Sequence, residues 1–417
     1  MSVSRSTAGA AFRYPNFRYH MMARFLTTTS SEMQSVAVAW QVYGLTHRPL
    51  DLGLVGLAQF LPGVFLFLVA GHTADRVPRK RILQVCYAAF SLCSLLLLTL
   101  SVRGLVSVYP IYLALLFNGT IRAFNGPASQ AFLPLIVQEE HFPNAVAWSS
   151  SIFQAATILG PSAGGIIYAF AGNPVPVYSC AAVFYLTALL SMSAINIRTI
   201  ERPRTLASAG ALLSGLRYIW THKLILAVIS LDLFAVLLGG AVALLPVYAR
   251  EILKVGASGL GLLRAAPGVG AVITAVLVAH WPLRRRAGAV MLWCVFGFGL
   301  STLVFGLSRN VTVSLVALAL AGSFDMVSVI VRHTMIQLGT PDEMRGRVSA
   351  VNMVFIGASN EVGQFESGIT AQWFGTVPAV VLGGAGTIAI VVMWTWLFPV
   401  LRRVEERAPE PAASVLD

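Results

Sequence analysis

The sequence predicts an all-α membrane protein with twelve transmembrane helices in two pseudo-symmetric six-helix bundles. Three observations lead there. Of the 417 residues, 57% are hydrophobic and 11% charged, with a mean hydropathy of +0.76, whereas a soluble globular chain carries about 25% charged residues. Apolar windows of about 20 residues, the length that crosses a bilayer, recur along the whole chain. Two stretches 202 residues apart resemble one another. This composition excludes a soluble enzyme, a secreted disulfide scaffold and a disordered chain.

The elements follow in order. A cytoplasmic segment, 1–18, precedes windows at 19–44, 52–71, 82–102, 107–130, 143–171 and 177–197, which make an N-terminal bundle over 19–197. A basic cytoplasmic connector, 198–223, leads to windows at 224–248, 256–280, 287–307, 311–338, 346–374 and 377–401, a C-terminal bundle over 224–401. A short cytoplasmic tail, 402–417, closes the chain. Residues 1–16 are polar and basic, without the apolar core and small-residue cleavage site of a secretory signal.

The formal charge of +12 would point to nucleic acid in a soluble protein, but here the cations follow topology. Twenty of the 29 Lys and Arg fall on the side that holds both termini and five on the other, which places both termini in the cytoplasm by the positive-inside rule. The remaining four, Arg24, Arg122, Arg264 and Arg332, lie inside helices. Cys86, Cys93, Cys180 and Cys294 sit in apolar runs and read as core residues. The short loops hold no Walker lysine, zinc-spaced ligand set or nucleophile elbow, so neither a metal nor enzyme chemistry is expected.

The repeat pairs HFPNAVAWSSSIFQAATILG, from His141, with EMRGRVSAVNMVFIGASNEVG, from Glu343, matching Val146 to Val348 and Phe153 to Phe355. Two halves related in this way are the product of a duplication common among transporters.

The turn after the second window reads GHTADRVPRKR, and it resembles the GxxxDRxGRxx signature of the major facilitator superfamily. Gly71, Asp75, Arg76, Arg79 and Lys80 match, while Pro78 replaces the second glycine. The resemblance implies a latch that makes and breaks as the halves rock, with Gly71 admitting a neighbouring helix. The turn WPLRRRAG of the second half lacks the acid and is topogenic. ILGPSAGG, with Gly160, Pro161, Gly164 and Gly165, is similar to the glycine and proline motif of the superfamily's antiporters; simple small-residue packing is the other reading. Stretches from Val38, Arg122 and Arg345 resemble the branch that contains enterobactin exporters and related efflux proteins.

A charge in the bilayer core costs at least a few kcal/mol, so each one marks a partner, a cavity or a path. Glu32, Asp232, Asp325, Glu361 and Glu366 are candidate proton carriers, and Thr28, Ser31, Glu32 and Ser35 form a polar stripe on the first helix. A static, paired role for Glu32 is the alternative. Asp325 and Arg332 stand two turns apart on one helix face, and Asp232 adds to an acidic wall with Asn360, Glu361, Gln364 and Glu366. By resemblance Arg122, with Asn118 and Asn125 on neighbouring turns, influences a proton site. Arg122, Arg332 and aromatic residues such as Trp40, Tyr43 and Trp373 are candidates for substrate contact; the aromatics also suit interfacial anchors.

The expected function is a secondary transporter of the bacterial inner membrane, a proton antiporter that exports siderophores or drugs by alternating access. It needs no cofactor beyond the proton gradient, and its partners are a small-molecule substrate, protons and the bilayer, with the chain a monomer. Nutrient uptake by proton symport, or a non-transporting receptor or scaffold, are the alternatives.

Overall fold

The computed structural model describes residues 9–104, 106–196, 209–281 and 287–403, with no strand among them. The N-terminal half contains α1 (Pro15–Thr46), α2 (Pro49–Arg76), α3 (Arg79–Val102), α4 (Tyr109–Phe132), α5 (Phe142–Ala171) and α6 (Val175–Ser193). After a connector helix, Ala209–Thr221, come α7 (Lys223–Leu238), α8 (Gly256–His280), α9 (Ala287–Leu307), α10 (Val311–Gly339), α11 (Asp342–Phe374) and α12 (Thr376–Leu397). Both α1 and α2 start on proline, whose missing N–H costs nothing at a helix start. Asn310 caps α10 by accepting from the backbone N–H of Thr312 and Val313 at 2.9 and 3.2 Å.

The seventh window, expected as one helix over 224–248, is broken. Gly239 and Gly240 end α7, and the chain continues as a 3-10 turn (Ala241–Leu244), a helical turn opened by Leu245 and Pro246, and a π turn (Tyr248–Ile252). Glycine and proline both withdraw support from a regular helix, which an unbroken run of apolar residues conceals. The connector also contains more structure than expected: its helix packs on α11, where a Cβ at Gly215 would lie 2.8 Å from the Arg347 carbonyl oxygen. Residues 1–8, 197–208, the arginine run 284–286 and the tail beyond 403 lie outside the described residues.

Among the described residues nine segments are long and apolar enough to cross a membrane. The other three long helices, α1, α4 and α11, are as long but more polar. Within the N-terminal half α1 packs on α5 and α6, and α4 on α2 and α3; within the C-terminal half α10 packs on α8 and α9, and α12 on α7 and α9. Cys86, Cys93 and Cys294 are buried free thiols in these cores.

The halves meet through two helix pairs, α5 with α8 and α2 with α11. Both joins are built on glycine. A Cβ at Gly165 would lie 2.5 Å from the Ala257 carbonyl oxygen and 2.9 Å from the Gly261 Cα, and one at Gly368 would lie 2.9 Å from the Gly53 Cα. These contacts lie toward the end of the bundle opposite the termini, the far end. There the Tyr43 hydroxyl at the top of α1 also donates to Glu251 in the π turn, and the Arg250 guanidinium lies 5.6 Å over the Trp40 ring. Toward the terminal end α2 and α11 part, and a Cβ at Gly63, Gly71 or Gly357 would meet nothing within 4 Å.

Candidate functional site

Four charged side chains, two from each half, converge where the halves meet. Arg122 on α4 donates to the Gln59 side chain of α2 at 3.0 Å and reaches Glu361 of α11 at 4.0 Å. Gln364, one turn on from Glu361, donates to the other oxygen of the same carboxylate at 3.3 Å. Arg264 on α8 donates to the Ser35 hydroxyl of α1. Glu32, one turn before Ser35, lies in the field of Arg264 and Arg122, and Glu361 lies in the field of the same two. Each half thus supplies one carboxylate and one guanidinium, and Arg122–Glu361 crosses from one half to the other.

Small residues make this convergence sterically possible. A Cβ on Gly160 would fall 2.6 Å from the Glu32 Cβ, so α5 must present glycine there for α1 to bring its carboxylate inward. A Cβ on Gly119 would fall 2.3 Å from the Gln59 carbonyl oxygen, so α4 must present glycine one turn before Arg122. Pro161 turns its own carbonyl oxygen to within 2.5 Å of the position a Gly261 Cβ would take, and a Cβ at Gly164 would lie 2.8 Å from the Met33 Cα of α1. The cluster is open to solvent from the terminal end: the Arg122 side chain is 49% exposed and that of Glu361 19%.

Several residues expected near this site lie elsewhere. Arg332 is 2% exposed and pairs with Asp232, not with Asp325. That pair joins α10 to α7 inside the C-terminal half, so Asp232 does not extend the wall of α11. Asp325 faces a small void lined by Asp232, Cys294 and Ser328. Asn118 is 6% exposed and sits in the core beside Cys93. Asn125, one turn below Arg122, holds a buried side-chain oxygen with no partner. On α11, Asn360 donates to the Ile356 carbonyl and Glu366 accepts from Thr370, both on their own helix. Trp373 is exposed at the far end of α11.

Among the described residues, Arg79 and Lys80 of the turn between α2 and α3 bond within their own half. Arg79 donates to the Ala131 carbonyl at 3.1 Å, and Lys80 to the carbonyls of Ser193 and Ile195 at 3.1 and 2.5 Å, all in the N-terminal half. Among the described residues nothing lies within 4 Å of a Cβ placed on Gly71, so the close helix approach expected there is not made in this structure. Arg76 is exposed, and the Asp75 side chain lies outside the described residues. Sequence reasoning notes Arg264 only as one of four arginines inside helices; Arg122 is picked out by resemblance, which does not extend to Arg264.

A family model described as transmembrane secretion effector matches residues 6–415. The chain belongs to the transmembrane secretion effector family. Among curated relatives of the chain, the enterobactin exporter EntS of Shigella boydii serotype 4 (strain Sb227) is 28% identical over 409 residues, covering 96% of both chains. The crystal structure of the nucleoside transporter NupG superposes with a TM-score of 0.72 at 12% identity, over 92% of this chain and 99% of that one. The D-xylose–proton symporter superposes with a TM-score of 0.69 at 14% identity, over 92% and 97%. These likenesses show the major facilitator fold. The family match and the curated relatives make this chain a secondary transporter of a small molecule, not an enzyme, and a multi-pass protein of the bacterial inner-membrane type.

Proposed function

We propose that this protein exports small amphipathic organic molecules, siderophores of the enterobactin kind or drugs, in exchange for protons, with Glu32 and Glu361 as the proton carriers. The observation that carries the reading is the balanced cluster of Glu32, Arg122, Arg264 and Glu361 at the junction of the halves. A carboxylate holds a phenol or ammonium donor of a substrate far more strongly when ionised than when protonated. Substrate and proton therefore compete for the same oxygens, which is the condition for exchange. Arg122 and Arg264 orient the carboxylates and contact acceptor oxygens of the substrate. Opening at the terminal end supports loading from the cytoplasm, with both termini on that side, as the distribution of Lys and Arg supports. The proton gradient supplies the driving force without a cofactor, and one chain contains the whole cluster, so a monomer suffices.

The test is proton release from inverted vesicles with an acidic interior on adding enterobactin or a lipophilic cationic dye. Wild type releases protons with at least one of them. Glu361→Gln and Glu32→Gln bind the same compound but lower gradient-driven transport by about 100-fold, the lower range for removing a proton-transfer group. Full gradient-driven efflux by either variant excludes that residue as a carrier, and silence of wild type with both compounds removes the exchange reading.

Asp75 is assigned to the latch that closes the terminal end when the far end opens. Asp75→Asn is expected to slow transport while abundance and folding stay normal; transport at the wild-type rate would dismiss the latch.

A further inference from the structure

One cation near the open end has no ionic partner. Arg24 on α1 lies eight residues before Glu32, about 12 Å closer to the terminal end at 1.5 Å per residue. Its guanidinium sits 5.6 Å over the ring of Phe153 on α5, the helix that also faces Glu32. Among the described residues no carboxylate comes within ion-pair reach of it, and its buried Nε has no hydrogen-bond partner. One turn away His20 is fully buried against Phe132, and neither of its ring nitrogens has a hydrogen-bond partner. A cation inside a membrane protein is normally paired, or else it serves a ligand or path. Phe153 is 42% exposed, so its ring is open to a second aromatic group beside the guanidinium.

We infer that Arg24 and Phe153 form an entry subsite for an aromatic acid, on the path from the terminal end to the Glu32–Arg122–Arg264–Glu361 cluster. A planar guanidinium donates two parallel hydrogen bonds to a carboxylate or to the adjacent oxygens of a catecholate, and it stacks on aromatic faces. An aromatic acid satisfies both: its anionic oxygens face Arg24 and its ring packs against Phe153. The central cluster carries no net charge, whereas this position carries one uncompensated positive charge. Anionic aromatic molecules therefore meet a favourable site before they reach the carboxylates. The inference rests on the export reading only for the direction of travel.

The test is calorimetric titration of the full chain in lipid nanodiscs with 2,3-dihydroxybenzoate and with its uncharged amide. Wild type is expected to bind the acid at least about tenfold more tightly than the amide, the scale of a charge-assisted bidentate contact. Arg24→Gln abolishes that preference, Arg24→Lys retains part of it, and Phe153→Ala weakens both compounds alike. Equal binding of acid and amide by wild type overturns the subsite, as does an unchanged preference in Arg24→Gln. If Arg24→Gln fails to fold, Arg24→Lys decides: a preference identical to wild type removes the bidentate contact. Failure of the export reading looks different. Acid preference that depends on Arg24, together with absent proton movement, leaves the subsite standing and removes the coupling.

Discussion

Gly165→Leu is expected to hold α5 and α8 apart at the far end and to arrest transport. The Cβ alone would lie 2.5 Å from the Ala257 carbonyl oxygen and 2.9 Å from the Gly261 Cα, and both obstacles are backbone that cannot swing aside. Overpacking of this kind costs about 1–3 kcal/mol or more, and it falls only on the state in which the far end is closed. The ratio of closed to open molecules then drops by about five- to 100-fold or more, since each 1.4 kcal/mol is tenfold. Spin labels at Asn173 and Arg309, exposed positions on far-end loops of the two halves, read the change as a shift to longer distances. Gly71→Ala is the control, because a Cβ there meets nothing. An unchanged distance distribution with normal transport by Gly165→Leu would mean that the α5–α8 contact accommodates the side chain without opening.

The second large effect concerns Arg332 and Asp232. Removing one member of a buried ion pair leaves the other charge without a partner and costs about 3–5 kcal/mol. Arg332→Met is therefore expected to lower thermal stability in detergent sharply. The double variant Arg332→Met/Asp232→Leu, which removes both charges, is expected to recover most of that loss, because a buried pair replaced by packed apolar groups is often neutral. Transport by the double variant then separates structure from coupling. If it is as stable as wild type but moves no substrate under a proton gradient, the Arg332–Asp232 pair serves transport and not folding alone.

The pairing of Arg332 also marks the limit of what a sequence displays. Spacing along one helix joins Asp325 to Arg332, since residues seven apart share a face. The true partner is 100 residues earlier, on α7, and nothing in linear spacing reveals which helix packs against α10. The same limit separates Glu32, Arg122 and Glu361 from Arg264. Each is visible as a charge in an apolar run, yet only folding brings them together, and Arg264 sits among glycines and alanines that read as packing surface. The twelve windows were legible because crossing a bilayer demands length and apolarity of each helix separately. The break after Leu238 was not, because hydropathy weighs side chains and the break belongs to the backbone of Gly239, Gly240 and Pro246. In the motif of α2, spacing identifies Gly71 and Lys80 but carries no record of conformation, and a contact that forms only in the other state leaves no trace in this one.

The polarity of α1, α4 and α11 bears on how the chain is made. An arginine at the centre of a helix adds about 2.5–3.5 kcal/mol to the free energy of its insertion by the translocon, and Arg122 must enter long before Glu361 has been synthesised. During that interval its nearest neighbour in the finished molecule is Gln59 on α2, which is already in place. That hydrogen bond is open to Arg122 as soon as α2 and α4 are both in place, whereas its ionic partner on α11 does not yet exist.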